Sequence, residues 1–178
     1  IDNEKPIIVC PANQIETAEA NCEFILGDYR GLLMATDNCT VTPNLVVIQF
    51  PAAGTLVTGT TAVSITVSDE VNNTSVCVFD VILEDTASPI ITDCPANQSI
   101  SLDANCEAVV ADYTGEITVT DNCTSTTSLI ITQSPATGIV FSAHNTLIPV
   151  TVTVEDEAGN ATSCSFNVTL LDDTLPVM

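Results

Sequence analysis

Hydrophobic and polar residues alternate with a period of two along several short stretches of this chain. Val63, Ile65 and Val67 repeat every second position, and so do Cys77, Phe79, Val81 and Leu83. The pattern returns near the end of the chain. Val150, Val152 and Val154 alternate with Thr151 and Thr153, and Cys164, Phe166, Val168 and Leu170 alternate with Ser165, Asn167 and Thr169. A period of two predicts strands of a sheet with one buried face. The polar segments "SDEVNNTS" and "EDEAGNAT" between the paired runs predict hairpin turns. No long segment carries the helical period, so the expected class is all-β.

The two patterned regions belong to a repeat that covers the whole chain. "TDNCT" fills Thr36–Thr40 and again Thr120–Thr124; "PIIVCPANQIETAEANCEF" from Pro6 matches "PIITDCPANQSISLDANCEA" from Pro89. The expected organisation is residues 1–85 as the first unit and 86–172 as the second. Residues 173–178 then open a third, since "DDTLP" resembles "DTASP" at Asp85–Pro89. On this reading the chain is two consecutive units of a longer tandem array. Several short strands in about 85 residues predict an immunoglobulin-type β-sandwich for each.

Composition narrows the function. The 178 residues hold 23 Asp plus Glu against two basic residues, Lys5 and Arg30, for a net charge of −21. That charge excludes nucleic-acid binding, which needs Lys and Arg on phosphates, and disfavours anionic membrane surfaces. Divalent cations are the natural counterions, and solubility is the plainer use of such a surface. No stretch approaches the ~18 apolar residues of a membrane span, so no direct membrane insertion is expected. A basic-then-apolar leader is also missing.

The eight cysteines split four and four, without a CxxC pair and with a single histidine, His144. Disulfides in an oxidising, extracellular setting fit this better than zinc. Four cysteines leave three pairings open in each unit.

The motifs run in a fixed order: "CP" opens a strand, "TDNC" lies mid-unit, "D-x-x-x-N" forms a late turn and "C-x-F-x-V" closes the unit. In this order, twice, they resemble the hyalin-repeat (HYR) family of immunoglobulin-like domains. With the additional cysteine pair, the units are similar to repeats of very large Bacteroidetes surface adhesins, gliding-motility adhesins among them. The resemblance implies a non-catalytic, extracellular cell-surface module for adhesion or gliding. Its partners would be neighbouring repeats of the same chain and an extracellular polysaccharide or surface. It also implies the bridges Cys10–Cys77 and Cys94–Cys164, the "CP" and "C-x-F" cysteines of each unit, and with them Cys22–Cys39 and Cys106–Cys123.

Calcium is the candidate cofactor, because it is bound by carboxylate, amide and backbone oxygens. Asp and Asn are also ordinary turn formers. The candidate ligands gather around the boundary of the units: Glu84 and Asp85, the late turn Asp156, Glu157 and Asn160, and either Asp37 or Asp93. A Cys22–Cys39 bridge would turn Asp37 toward the following unit, and calcium there would stiffen the junction. Thr86 and Thr174, in "DTA" and "DTL", resemble Bacteroidetes O-glycosylation signals. N-x-S/T strings at Asn38, Asn97 and Asn160 arise readily by chance in a Thr- and Asn-rich chain.

No catalytic set is expected. A GxSxG elbow, a P-loop and HExxH are all missing from the sequence. Tyr29 and Tyr113 occupy equivalent positions, which favours a structural role over a ligand platform. The leading expectation is an adhesin stalk module. The alternatives are a glycan- or surface-polymer-binding module, and an accessory domain of a secreted enzyme.

Overall fold

A computed structural model describes residues 2–142 and 146–173. It divides into two compact units, Ile1–Asp85 and Thr86–Met178. The first contains β1 (Ile7–Val9), β2 (Gln14–Thr17), β3 (Phe24–Ile25), β4 (Met34–Thr36), β5 (Val46–Phe50), β6 (Leu56–Val57), β7 (Thr61–Ser68) and β8 (Thr74–Glu84). Its main sheet has the order β2-β8-β7-β5, and the pairs β1–β4 and β3–β6 complete the opposite layer. The second unit repeats the plan with β9 (Ile90–Asp93), β10 (Gln98–Ser101), β11 (Ala108–Val109), β12 (Thr118–Thr120), β13 (Ile130–Ser134), β14 (Val140–Phe141), β15 (Leu147–Glu155) and β16 (Ala161–Leu171). There the main sheet is β10-β16-β15-β13, with β9–β12 and β11–β14 opposite. The all-β, two-sandwich architecture expected from the alternation is what forms.

The "CPAN" motif explains how the first strand of each unit serves both layers. β1 pairs antiparallel with β4, whereas β2 pairs parallel with β8, Gln14 opposite Val81. Between them Pro11 has no N–H to give a ladder, so the strand breaks and crosses. Asn13 then substitutes for the missing partner: its Oδ1 accepts the Asp80 N–H of β8 at 3.0 Å. Asn97 does the same for the Asn167 N–H at 2.9 Å. The crossing is pinned covalently. Cys10 is bonded to Cys77 and Cys94 to Cys164, with Cα–Cα distances of 5.7 and 6.2 Å.

Each core is the buried face of the long hairpin. Val63, Ile65, Val67, Phe79 and Val81 are buried in the first unit, and Val150, Val152, Val154, Phe166 and Val168 in the second. Burial of each such side chain contributes about 1.5–3 kcal/mol. Tyr29 packs edge-on against Phe79 at 5.7 Å between ring centroids, and Tyr113 against Phe166 at 5.0 Å. Only 5% and 4% of the two tyrosines is exposed, so both are core residues.

A repeated "Q-x-P" supports each tyrosine. Gln49 Oε1 accepts the Tyr29 N–H at 2.8 Å, and its Nε2 donates to the Gly27 and Pro51 carbonyls at 2.9 and 3.1 Å. Gln133 makes the same three bonds, from the Tyr113 N–H and to Ala111 and Pro135. A buried amide that satisfies three backbone groups is a structural clamp.

Candidate metal centre

One end of each sandwich, here called the head, carries the late hairpin turn and the "TDNCT" segment. Asp69 shapes the turn in the first unit. Its Oδ1 accepts the Val71 and Asn73 N–H groups at 2.9 and 2.7 Å, and its Oδ2 accepts the Asn73 side-chain amide at 2.6 Å. Asp156 binds Asn160 in the same way, at 2.7 and 2.9 Å. Burial pushes the Asp69 carboxyl upward, but the bonds from Asn73, Val71 and Asn72 outweigh it and hold it below the usual range. The fourth turn position requires a left-handed backbone, with Asn72 at φ 69° and Gly159 at φ 88°. Asn tolerates that region and Gly enters it without strain.

"TDNCT" docks onto this turn. Asp37 Oδ2 accepts the Cys39 and Thr40 N–H groups at 3.0 and 2.8 Å, and Asp121 Oδ1 accepts those of Cys123 and Thr124 at 3.0 and 2.7 Å. The buried Thr40 and Thr124 hydroxyls then accept the N–H groups of Glu70 and Glu157 at 3.3 and 3.2 Å. The motif's Asp and second Thr therefore lock two loops together at the head.

The docking gathers carboxylates. In the first unit Asp2, Asp37 and Asp69 each place an oxygen within 4.8 Å of the others. Asn73 also reaches the Asp2 carbonyl with its side-chain amide at 3.5 Å. Three like charges at that range repel by roughly 1 kcal/mol per pair in water, and by several times more where water is excluded. Two of the oxygens, Asp2 Oδ2 and Asp37 Oδ1, are buried without a hydrogen-bond donor. In the second unit Asp121 Oδ2 is in the same state. Buried acceptors are normally satisfied, and a cation would satisfy these. The donor set is all oxygen, which suits calcium; one oxygen from each Asp supplies three of its usual six to eight ligands.

Several of the residues expected from sequence lie elsewhere. Asp37 shares its site with Asp2 and Asp69, and Asp156 is buried at the head of the second unit beside Asn160. Glu84 is exposed at the far end of β8, where its carbonyl accepts the Ala18 N–H. Asp85 is the repeat counterpart of Asp2. Asp93 is exposed at the end of β9, opposite Thr118, and the Glu157 side chain is exposed. Asp2, Asp69 and Asp121 were not singled out in the sequence. The signal that finds them is the repeat itself, which aligns Asp2 with Asp85, Asp37 with Asp121 and Asp69 with Asp156. Thr86 is exposed; Thr174 and His144 lie outside the described residues.

Two of the expected disulfides do not form. Cys39 and Cys106 are exposed free thiols, whereas Cys22 and Cys123 are both disulfide-bonded. The topology forbids Cys22–Cys39. Cys22 follows β2, whose end lies opposite Glu84 (Thr17 pairs with Glu84), so it sits at the tail of the sandwich. Cys39 sits at the head, hydrogen-bonded to Asp37. The eleven residues of β8 separate the two ends by roughly 33 Å, and a disulfide needs Cα atoms within about 7 Å. Cys106 and Cys123 are divided by β16 in the same manner, Cys106 in the turn closed by Asp103 and Cys123 beside Asp121. With no bridge between Cys22 and Cys39, Asp37 faces the head of its own unit, beside Asp2. The Cys39 thiol is pushed up by burial and by the nearby Asp2 and Asp37 carboxylates.

No curated protein sequence matches the chain. Among solved structures it is similar to extracellular cadherin domains 1–5 of protocadherin gamma B2, at 10% identity and a TM-score of 0.46; the match covers 98% of this chain and 41% of that one. It is also similar to mouse cadherin-23 EC22–24, at 12% identity and 0.48, covering 95% and 67%. The titin domains I67–I69 match at 4% identity and 0.43, covering 93% and 65%. The chain thus spans about two-fifths of the protocadherin and two-thirds of the other two. Residues 84–170, slightly under half of the chain, match the model of the HYR domain, and the fold is accordingly HYR-like and of immunoglobulin type.

Proposed function

We propose that the chain is a non-catalytic pair of extracellular repeats from the stalk of a cell-surface adhesin of the Bacteroidetes type, used in adhesion or gliding. In this reading each repeat holds a calcium ion at its head. The observation that carries it is the buried, donor-less carboxylate oxygen that recurs at the "TDNCT" aspartate of both repeats, Asp37 Oδ1 and Asp121 Oδ2. Such oxygens destabilise the head loops unless a cation joins them. The ion would be held by Asp2, Asp37 and Asp69 in the first repeat and by their repeat counterparts Asp85, Asp121 and Asp156 in the second. It would tie the two head loops and the incoming chain into one rigid end, which suits a module that transmits force. The in-unit disulfides and the acidic surface fit an oxidising, solvent-filled extracellular setting. Thr86 is an exposed acceptor for O-glycosylation in this context.

The glycan-binding reading has one largely exposed ring among the described residues, Phe50, and no tyrosine to stand beside it. Carbohydrate sites stack sugars on exposed rings, and both tyrosines are used up in the cores. Co-sedimentation of the chain with insoluble polysaccharides tests the choice. A stalk module stays in the supernatant with and without calcium. Saturable retention at micromolar concentration would transfer the function to surface-polymer binding.

A further inference from the structure

The two free thiols have counterparts that are not free. Cys106 aligns with Cys22 in the repeat, and Cys39 aligns with Cys123. At both positions one copy is disulfide-bonded and the other is an exposed thiol. Each unit thus carries one cysteine at its tail, in a turn with a left-handed backbone (Cys22 φ 56°, Cys106 φ 63°), and one at its head, in the "TDNCT" loop. The length of the sandwich keeps the two apart within a unit, so neither can serve as the other's partner.

We propose that Cys106 and Cys39 are covalent docking sites for further copies of the repeat, the tail thiol of one copy joining the head thiol of the next. The tail turn supports this role. Asp103 Oδ1 accepts the Asn105 and Glu107 N–H groups at 2.8 and 2.9 Å, and the Asp103 carbonyl accepts the Cys106 N–H at 3.0 Å, so the cysteine sits on a fixed projection. The head loop is equally fixed through Asp37. Thiols in such exposed, rigid places suit a partner outside their own unit, and an oxidising compartment supplies the conditions.

The chemistry is thiol–disulfide exchange. A Cys106 thiolate attacks oxidised glutathione, forming a mixed disulfide and releasing one glutathione thiolate. The Cys39 thiolate of the other copy attacks the Cys106 sulfur of that mixed disulfide and releases the second glutathione. Two protein thiols and one glutathione disulfide give one protein disulfide and two glutathione thiols. A stalk built this way would carry a covalent link past each interdomain linker as well as through it. The inference goes beyond the calcium reading and survives if calcium does not bind.

The test mixes two full-chain variants, C39S and C106S, one of them ¹⁵N-labelled, in a glutathione redox buffer. Each retains one of the two thiols. Mass spectrometry under non-reducing conditions then counts the disulfide dimers, and peptide mapping locates the bond. Head-to-tail docking predicts mixed dimers joined Cys106 to Cys39, in about fivefold or greater excess over both homodimers together. A statistical mixture, a preference for homodimers, or no dimers while both variants remain folded by circular dichroism would overturn the proposal.

Discussion

Removing the Cys10–Cys77 bridge tests whether a unit this poor in aromatic residues depends on its staple. The bridge closes a loop with a sequence separation of 67 residues. Loop-closure entropy for that length amounts to about 4 kcal/mol at room temperature. A unit of about 85 residues has a total stability of roughly 4–13 kcal/mol at the usual value per residue. The C10A/C77A variant should therefore lose about a third or more of the first unit's stability, and its midpoint should fall by roughly 16–30 °C. Alanine is the proper replacement because Cys77 is almost fully buried and a serine hydroxyl there would need a partner.

The assay uses the placement of the tyrosines. The chain has no tryptophan and one tyrosine in each core, so a Y113F background leaves Tyr29 as the only reporter, seated against Phe79. Urea unfolding followed by tyrosine fluorescence then reads the first unit alone. A loss below about 1 kcal/mol with an unchanged urea dependence would show that the core, not the bridge, holds the unit together. It would also refute the entropy argument.

Further predictions concern the clamp, the turn and the Asp28–Arg30 ion pair. Gln49→Ala leaves the Tyr29 N–H and the Gly27 carbonyl without partners, so calorimetry should show a loss of about 2–4 kcal/mol. Asn72→Gly relieves a left-handed φ of 69° and should stabilise the first unit by up to about 1 kcal/mol, as Gly159 already does in the second. The Asp28 carboxyl is held down to about 2 by its hydrogen bonds from Arg30. Because the folded value is depressed, any stabilisation is complete above the ordinary carboxylate range and is lost as pH falls from about 4 toward 2. Carbon-detected NMR titration should give a midpoint near 2, and Arg30→Gln should return it toward 4. Asp69 is also depressed, so acid should loosen the Asp69–Asn73 turn. Amide exchange at Val71 and Asn73 should accelerate as pH drops below the ordinary carboxylate range, after correction for intrinsic rates.

The alternation of Val63, Ile65 and Val67 with polar neighbours was enough to expose the long hairpins, because a half-buried strand writes its burial directly into a period of two. The "CP" bridges came from the family resemblance, not from the spacing of the cysteines, and the structure supplies their reason: the crossing strand and the last strand lie side by side. The second pair of cysteines was not legible. Cys22–Cys39 was only what the resemblance left over once Cys10 and Cys77 were bridged, on the assumption that every bridge closes within its own unit. In fact β2 carries Cys22 to one end of the sandwich and β4 carries Asp37 and Cys39 to the other. The acidic site was legible only in part. Glu84 and Asp93 are acidic and close to the boundary in sequence, and Glu157 lies in the head turn itself, yet all three side chains are exposed, whereas Asp69 and Asp156 in the same turns are buried. The Gln49 and Gln133 clamps left a faint trace, a shared "Q-x-P", whose role became clear only once its carbonyl partners were in place.

Calcium titration calorimetry on the intact chain tests the central claim most directly. The account predicts two sites per chain with dissociation constants of about 10⁻⁴–10⁻³ M, the range of extracellular modules. Asp37→Asn keeps an oxygen for the Cys39 and Thr40 N–H groups while removing the charge, so that variant should stay folded and retain one site. Adding Asp121→Asn should remove the second site as well. No calcium-dependent heat from the wild-type chain at millimolar calcium, or binding unchanged in the folded double variant, would contradict the account and leave the head-end aspartates as turn formers alone.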